Sequence, residues 1–315
     1  MAYIEFDTKK IIEKYIEMKE SCPNIKFIFP VKCCTNEYLL SAIDQYVDGY
    51  DVSNEKEYKC ILQFAENKII SATGPLVEQL LIYPNVLVAA NTTDSWIPGI
   101  GIRVNFNSND AFLKTHFGVD LYRAPTKILE GSSYVHFHIS DFRSESIKMG
   151  IISNIVSIVE LFPKLEVLNI GGHLTNMPRN EVVDYLNSIR WVLPDNIVLL
   201  VEAGDFFVEN SGCLYCEVID SFLYSDTQIV YLDVSKESQL RWSYPSLAQN
   251  HREKTDKLYN TVFYGASCHE KDLIAKSMCS KLRKGESLVF GNITTYSYEW
   301  NKAFNGLDEI EIKFL

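Results

Sequence analysis

The first two thirds of the chain alternate between short apolar runs rich in β-formers and stretches with helical spacing. Eight such runs occur: Lys26–Lys32, Gly49–Ser53, Lys68–Thr73, Val86–Ala90, Gly101–Phe106, Tyr134–Ile139, Glu166–Gly171 and Val198–Gly204. Helices are predicted over Glu37–Tyr46, Glu55–Phe64, Val77–Ile82, Glu145–Phe162 and Arg179–Val192. In the fourth of these, Ile147, Ile151, Ile155, Ile158, Val159 and Phe162 fall near one face. The polar stretches at 91–94 and 107–110 read as loops. Eight β runs at near-even spacing, with helices between, predict an α/β fold built on a (β/α)8 TIM-like barrel. A doubly wound sheet is the competing arrangement. After about residue 225 the rhythm changes, and Gln228–Val234, Thr261–Tyr264, Ser287–Phe290 and Glu309–Phe314 read as strands without regular helices between them. The division expected is a barrel over 1–225, whose first residues are able to join the other unit, and a smaller β-rich domain over 226–315.

Composition narrows the function classes. Of 315 residues, 47% are hydrophobic and 23% charged, enough for a sizeable core and too apolar for a disordered chain. A net charge of −11 argues against a broad nucleic-acid surface, which needs a basic excess, but leaves room for a local phosphate pocket. No apolar stretch approaches the ~20 residues of a membrane span. The first residues lack a basic segment followed by an apolar one, so no secretory signal is expected. Cys22, Cys33, Cys34, Cys60, Cys213, Cys216, Cys268 and Cys279 are scattered, which predicts reduced thiols and a cytoplasmic protein. Cys213 and Cys216 form a lone C-x-x-C, read as two residues along a strand or helix.

Barrels do their chemistry at the C-terminal ends of the strands. The polar residues there are Lys32, Asp51, Asn54, Arg103, Asn105, His138, Asp141, Gly171, Gly172, His173, Glu202, Gly204 and Asp205. Lys32 ends an apolar run, and desolvation there predicts a lowered pKa and a nucleophilic amine. Gly171 and Gly172 can bring backbone N–H groups close to a phosphate. Glu202 needs a partner, either a ligand cation such as a protonated ring nitrogen or Arg103. His138, on the same side of its run as His136, is placed to lie flat on a planar ligand. Cys268, beside His269 and Glu270, is a candidate proton carrier. A Schiff-base lysine, a ring-stacking histidine, a carboxylate for a pyridine nitrogen and a glycine-lined phosphate site are together the parts of a pyridoxal 5′-phosphate (PLP) site.

The order of these motifs resembles the PLP-dependent decarboxylases of the alanine racemase-like fold, which include ornithine and diaminopimelate decarboxylases, and most of all their carboxynorspermidine decarboxylase branch. Pro-Val-Lys32 resembles the family's Ala-Val-Lys. The segment Gly49-Tyr-Asp51-Val-Ser-Asn54-Glu-Lys-Glu57 resembles Gly-Phe-Asp-x-Ala-Ser-x-x-Glu. Arg103-Val-Asn105, His116-Phe-Gly118 and His136-Phe-His138 resemble Arg-Ile-Asn, Lys-Phe-Gly and His-Phe-His. Asn169-Ile-Gly-Gly-His173-Leu resembles Asn-Leu-Gly-Gly-Gly-His-Leu with one glycine fewer. Glu202-Ala-Gly204 resembles Glu-Pro-Gly, and Gly265-Ala-Ser-Cys268-His-Glu-Lys-Asp272 resembles Gly-Pro-Thr-Cys-x-x-x-Asp. Tyr296 and Phe304-Asn-Gly306 resemble the family's C-terminal Tyr and Phe-Asn-Gly.

The resemblance implies a carboxy-lyase acting on a small amino acid substrate. Lys32, Glu202, His138 and Cys268 are its expected catalytic residues. Lys32, Asp51, Arg103, His138, Gly171, Gly172, Glu202, Gly204 and Tyr296 are expected to hold PLP. Asp272, Asp141, His173, His269 and Glu270 are expected around the substrate, whose distal end is then cationic. It also implies a homodimer in which Cys268 enters the partner subunit's site. The expected reaction removes the carboxyl of a 3-amino-3-carboxypropyl group, on a polyamine precursor or on a peptide-nucleotide antibiotic intermediate of the microcin C type. A racemase or a non-catalytic homologue on the same fold are the competing readings. Glu202 and Cys268 argue against the racemase, because racemases of this type place an arginine and a tyrosine in those roles.

Overall fold

The computed structural model describes residues 2–106, 115–139, 144–175, 177–249 and 257–315. Two compact units emerge, one over Ile12–Phe207 and the other combining the residues up to Ile11 with Val208–Leu315.

The first unit is an eight-stranded parallel barrel. Its strands are Lys26–Pro30, Gly49–Val52, Ile69–Thr73, Val86–Ala90, Gly101–Asn105, Tyr134–His136, Val167–Asn169 and Val198–Val201. Each pairs in parallel with the next, and Leu200 and Val201 pair with Lys26 and Phe27 to close the ring. All eight lie within the apolar runs of the sequence. Such strands are buried on both faces, so they read as continuous apolar stretches rather than as alternation. Helix Glu145–Leu161 buries Ile147, Ile151, Ile155 and Ile158 as its spacing requires. Helix Arg179–Val192 matches its predicted span. The shorter helices are trimmed. Glu55–Phe64 is split into Glu55–Cys60 and a single 3-10 turn at Leu62–Phe64, and only the turn Val77–Leu80 forms within 77–82. A helix not expected from the pattern, Thr8–Ser21, buries Ile11, Tyr15 and Met18, and Tyr15 stacks on Phe207 with ring centroids 3.7 Å apart.

The barrel unit ends at Phe207 and not at 225. Gly212–Tyr224 is a 13-residue strand of the second unit, paired antiparallel with Tyr3–Phe6, Ser287–Ile293 and Thr227–Leu232. Its backbone is committed to those ladders, so it cannot extend the barrel. The sheet runs Ser246–Gln249, Ser287–Ile293, Gly212–Tyr224, Thr227–Leu232, Leu258–Tyr264, Leu273–Ser280, with Tyr3–Phe6 bridging to Glu311–Phe314. This β-rich, barrel-like unit closes around Phe6, Leu214, Val218, Val230, Phe263 and Phe290. Gly212 is required here, since a Cβ would lie 2.5 Å from the Phe6 ring. None of the eight cysteines forms a disulfide. Cys213 and Cys216 lie along the Gly212–Tyr224 strand. No helix among the described residues is long and apolar enough to cross a membrane.

Candidate active site

Lys32 sits in the single turn Val31–Cys33 that follows the first strand. The residue reaches the surface at the strand's C-terminal end, while its ammonium is set among protein groups. Loss of surrounding water pulls its ammonium down, but Glu202 and then Asp51 outweigh that pull and raise the pKa above the ordinary lysine value. The lowered pKa expected from sequence is therefore overturned. The apolar run before Lys32 was legible, but the two carboxylates facing it were not.

Asp51, His136 and Glu202 come from the second, sixth and eighth strand positions, and barrel interiors stack inward side chains from alternate strands. All three are buried. His136 Nε2 lies 2.8 Å from Glu202 Oε1. Desolvation opposes the charge on Glu202, yet the His136 hydrogen bond and Lys32 hold its carboxyl below the usual range. Burial lowers His136, which is therefore neutral and donates its Nε2–H to the ionised carboxylate. Asp51 is pushed up by burial and by Glu202, so it keeps a proton. Protonated, Asp51 hydrogen-bonds the Glu202 carboxylate, and apart from each other Asp51 Oδ2 and Glu202 Oε2 have no donor among the described residues. Arg103 does not pair with Glu202. Its guanidinium lies 4.7 Å from the Phe117 ring centroid, and its Nε is buried without a partner among the described residues.

Beneath this layer is a polar network that sequence reasoning missed. Ser71 Oγ donates to Asp51 Oδ1 at 2.9 Å and meets Tyr134 Oη at 2.9 Å. Asn169 Nδ2 reaches both Ser71 and Tyr134. Polar residues inside apolar runs were the available signal, since a buried serine or asparagine must be hydrogen-bonded.

Other motif residues prove to shape the site. Asn54 and Glu57 form a capping box at helix Glu55–Cys60: Glu57 N donates to Asn54 Oδ1 at 3.0 Å and Ser53 N to Glu57 Oε2 at 2.8 Å. Asn105 Nδ2 donates to the carbonyls of Phe117 and Gly118. Gly204 lets Cys33 approach, because a Cβ would lie 2.2 Å from its Sγ. Gly171 lies at φ +72°, and a Cβ there would lie 2.8 Å from His138 Cδ2, so the half-buried His138 ring rests against it. Burial, with Lys32 next, pushes the His138 pKa down to about 3, which leaves a neutral ring. The Gly171 N–H expected for a phosphate is already donated to Asn169 Oδ1 at 2.9 Å. His173, at φ +65°, pairs through Nδ1 with Asp205 Oδ2 at 2.9 Å, and Thr175 also donates to that oxygen. Asp141 lies outside the described residues.

The remaining candidates belong to the β-rich unit. Tyr296 opens the short helix Tyr296–Glu299 and packs edge-on to Trp242 at 5.1 Å. Cys268, His269 and Glu270 are exposed and line a cavity of about 400 Å³ with Phe222, Tyr231 and Tyr264. Asp272 departs from the expectation of a substrate-facing acid. It is 1% exposed, and its two oxygens accept from Lys236 N at 2.6 Å, Ser267 N at 3.1 Å and Ser267 Oγ. It ties the Cys268 loop to the segment at Lys236, because the Ser267 and Lys236 backbone N–H groups both need a buried acceptor.

Comparison with known proteins adds the fold's relatives. No family model matches the chain. A chloroplastic ornithine decarboxylase of Nicotiana glauca is 22% identical over 96% of this chain and 81% of its own length. The arginine decarboxylase of Paramecium bursaria Chlorella virus superposes with a TM-score of 0.84 at 18% identity, over 100% of this chain and 96% of that one. The carboxynorspermidine decarboxylase of Campylobacter jejuni, solved with norspermidine, gives 0.76 at 17%, over 100% and 94%. The chain has the fold of these decarboxylases. The two structural scores do not single out the carboxynorspermidine branch.

Proposed function

We propose that this protein is a PLP-dependent amino acid decarboxylase whose substrate carries a 3-amino-3-carboxypropyl group. The observation that carries the reading is Glu202: one carboxylate oxygen is fixed by His136, the carboxylate's other neighbour is the protonated Asp51, and a lysine amine stands within its field. Those residues fit PLP. Lys32 would anchor the aldehyde carbon, Glu202 would face the ring nitrogen and His138 would pack on the ring. Fit at the phosphate is looser: Gly172 and Tyr296 would take part in holding it, while the Gly171 N–H is already engaged by Asn169.

Bound there, the cofactor supplies an electron sink for the carbanion left by loss of CO2. The chain's own part is electrostatic. Glu202, ionised, would keep a proton on a ring nitrogen held against it. Lys32 would release its proton to solvent before acting as a nucleophile, and a cation bound against Glu202 would favour that by offsetting the carboxylate charge that raises its pKa. In a homodimer, Cys268 of one copy would protonate the substrate carbon in the other. The aromatic cavity beside Cys268, with Glu270 on its wall, suits an aliphatic ammonium. This supports a polyamine-like distal end.

The test is borohydride reduction of the purified, PLP-treated protein with peptide mapping by mass. A pyridoxyl adduct on Lys32, followed by CO2 release from aminocarboxypropyl polyamines, is expected. Absence of any adduct at excess PLP overturns the reading.

A further inference from the structure

We infer that His136 is a positioning residue that fixes the rotamer of Glu202 and so decides whether the ring nitrogen of the cofactor stays protonated; the inference rests on PLP occupying the mouth of the barrel. His136 ends its strand two residues before the ring-packing His138, and its neighbours in register are Arg103 on one side and Asn169 on the other. It is not at the mouth and touches no open space: its side chain is 1% exposed and that of Glu202 is 2% exposed.

The tautomer follows from its partner. An ionised carboxylate only accepts, so His136 Nε2 carries the hydrogen and Nδ1 bears a lone pair. That Nδ1 has no partner among the described residues. A buried imidazole with one nitrogen unsatisfied costs free energy, which makes the hydrogen bond to Glu202 its one polar engagement in the described structure.

The need for such a bond comes from the company Glu202 keeps. The Lys32 ammonium and the Asp51 carboxyl are both near enough to act on it electrostatically. A carboxylate on a terminal sp³–sp² torsion turns easily. With Oε1 committed to His136, Oε2 is the oxygen that remains for Asp51 and for a ring nitrogen. Without His136, Oε1 too is free to turn toward Lys32 and Asp51, and the nitrogen loses a counter-charge held in one orientation. Burial keeps His136 neutral, so it adds direction without placing a second positive charge beside the ring.

The experiment uses the full protein loaded with ¹⁵N-labelled PLP. The ring-nitrogen chemical shift and the PLP dissociation constant are read from about pH 6 to about pH 9, across the neutral range in which a histidine-linked change would appear. The wild type is expected to keep the nitrogen protonated throughout. His136→Phe should lose that proton within the range and bind PLP about tenfold or more weakly, the loss of one buried hydrogen bond to a charge. His136→Gln, whose Nε2 can take the same place, should restore both. His136→Asn, too short to reach Oε1, should behave like the Phe variant, and it serves if the Phe variant does not fold. A protonated ring nitrogen with unchanged affinity in the Phe or Asn variant overturns the inference. Borohydride trapping separates the two levels: no Lys32 adduct in the wild type sinks the cofactor reading, whereas adducts in all variants with identical ring shifts sink only the role of His136.

Discussion

Asp272 offers the sharpest test of the β-rich unit, through Asp272→Asn. The substitution keeps shape and removes charge. In the wild type one oxygen accepts from Lys236 N at 2.6 Å and the other from Ser267 N at 3.1 Å and from Ser267 Oγ. Asparagine can accept on one side only. If its carbonyl faces Ser267, its NH2 meets the Lys236 N–H, donor against donor. Turning it over moves the conflict to Ser267. Each hydrogen bond to a charged acceptor is worth about 1.5–3 kcal/mol, so one bond lost and the others weakened predict about 2–4 kcal/mol. That is roughly a 30- to 1,000-fold change in the unfolding equilibrium. Urea denaturation followed by near-ultraviolet circular dichroism measures it, and native-state alkylation of Cys268 reports whether the loop loosens. A variant within about 0.5 kcal/mol of the wild type, the scale of an ordinary surface change, with unchanged Cys268 reactivity would refute the assignment of Asp272 as a loop lock. A substrate-facing acid would instead raise KM and leave stability alone.

Gly172→Ala should lower the thermal midpoint markedly, because its Cβ would lie 2.3 Å from the Glu202 carbonyl oxygen and backbone cannot yield cheaply; an unchanged melt contradicts the packing. Ser71→Ala should cost about 1–3 kcal/mol in denaturant titration by leaving Tyr134 and Asn169 without their shared oxygen. Tyr15→Phe should be neutral or stabilising, since the buried Tyr15 hydroxyl has no partner among the described residues, and a loss above about 1 kcal/mol would reveal one. Burial of Asp205 raises its pKa, but His173 and then Thr175 outweigh that, and the folded value lies below the ordinary one. Its contribution to stability is therefore present above the ordinary aspartate value of about 3.9 and is lost as the pH falls through the lower folded value. Asp205→Asn should remove that part of the acid transition, measured as the difference between the two melting curves against pH.

Much of the fold is legible in one sequence. Parallel strands covered on both faces must be continuous apolar runs, so the eight barrel strands stand out, and so does the long amphipathic helix Glu145–Leu161. Gly212–Tyr224 escapes because only its first half alternates buried with less buried positions and its second half is mostly exposed, so no single pattern spans it. That Lys32, His138 and Glu202 lie at strand ends is legible, because such a position is a property of the chain. The partners that set their protonation are not. His136, Asp51 and Glu202 meet only because the barrel closes and interleaves alternate strands, and the sign of the Lys32 shift follows from that meeting. Asp272 is an acid four residues from Cys268 in sequence and a buried clasp in three dimensions. The sequence by itself determines which residues can lie in strands and which chemical groups lie near their ends, because local periodicity and residue type carry that information. Only the tertiary structure decides which of those groups share a desolvated space, because charge, hydrogen bonding and burial act between residues far apart in the chain.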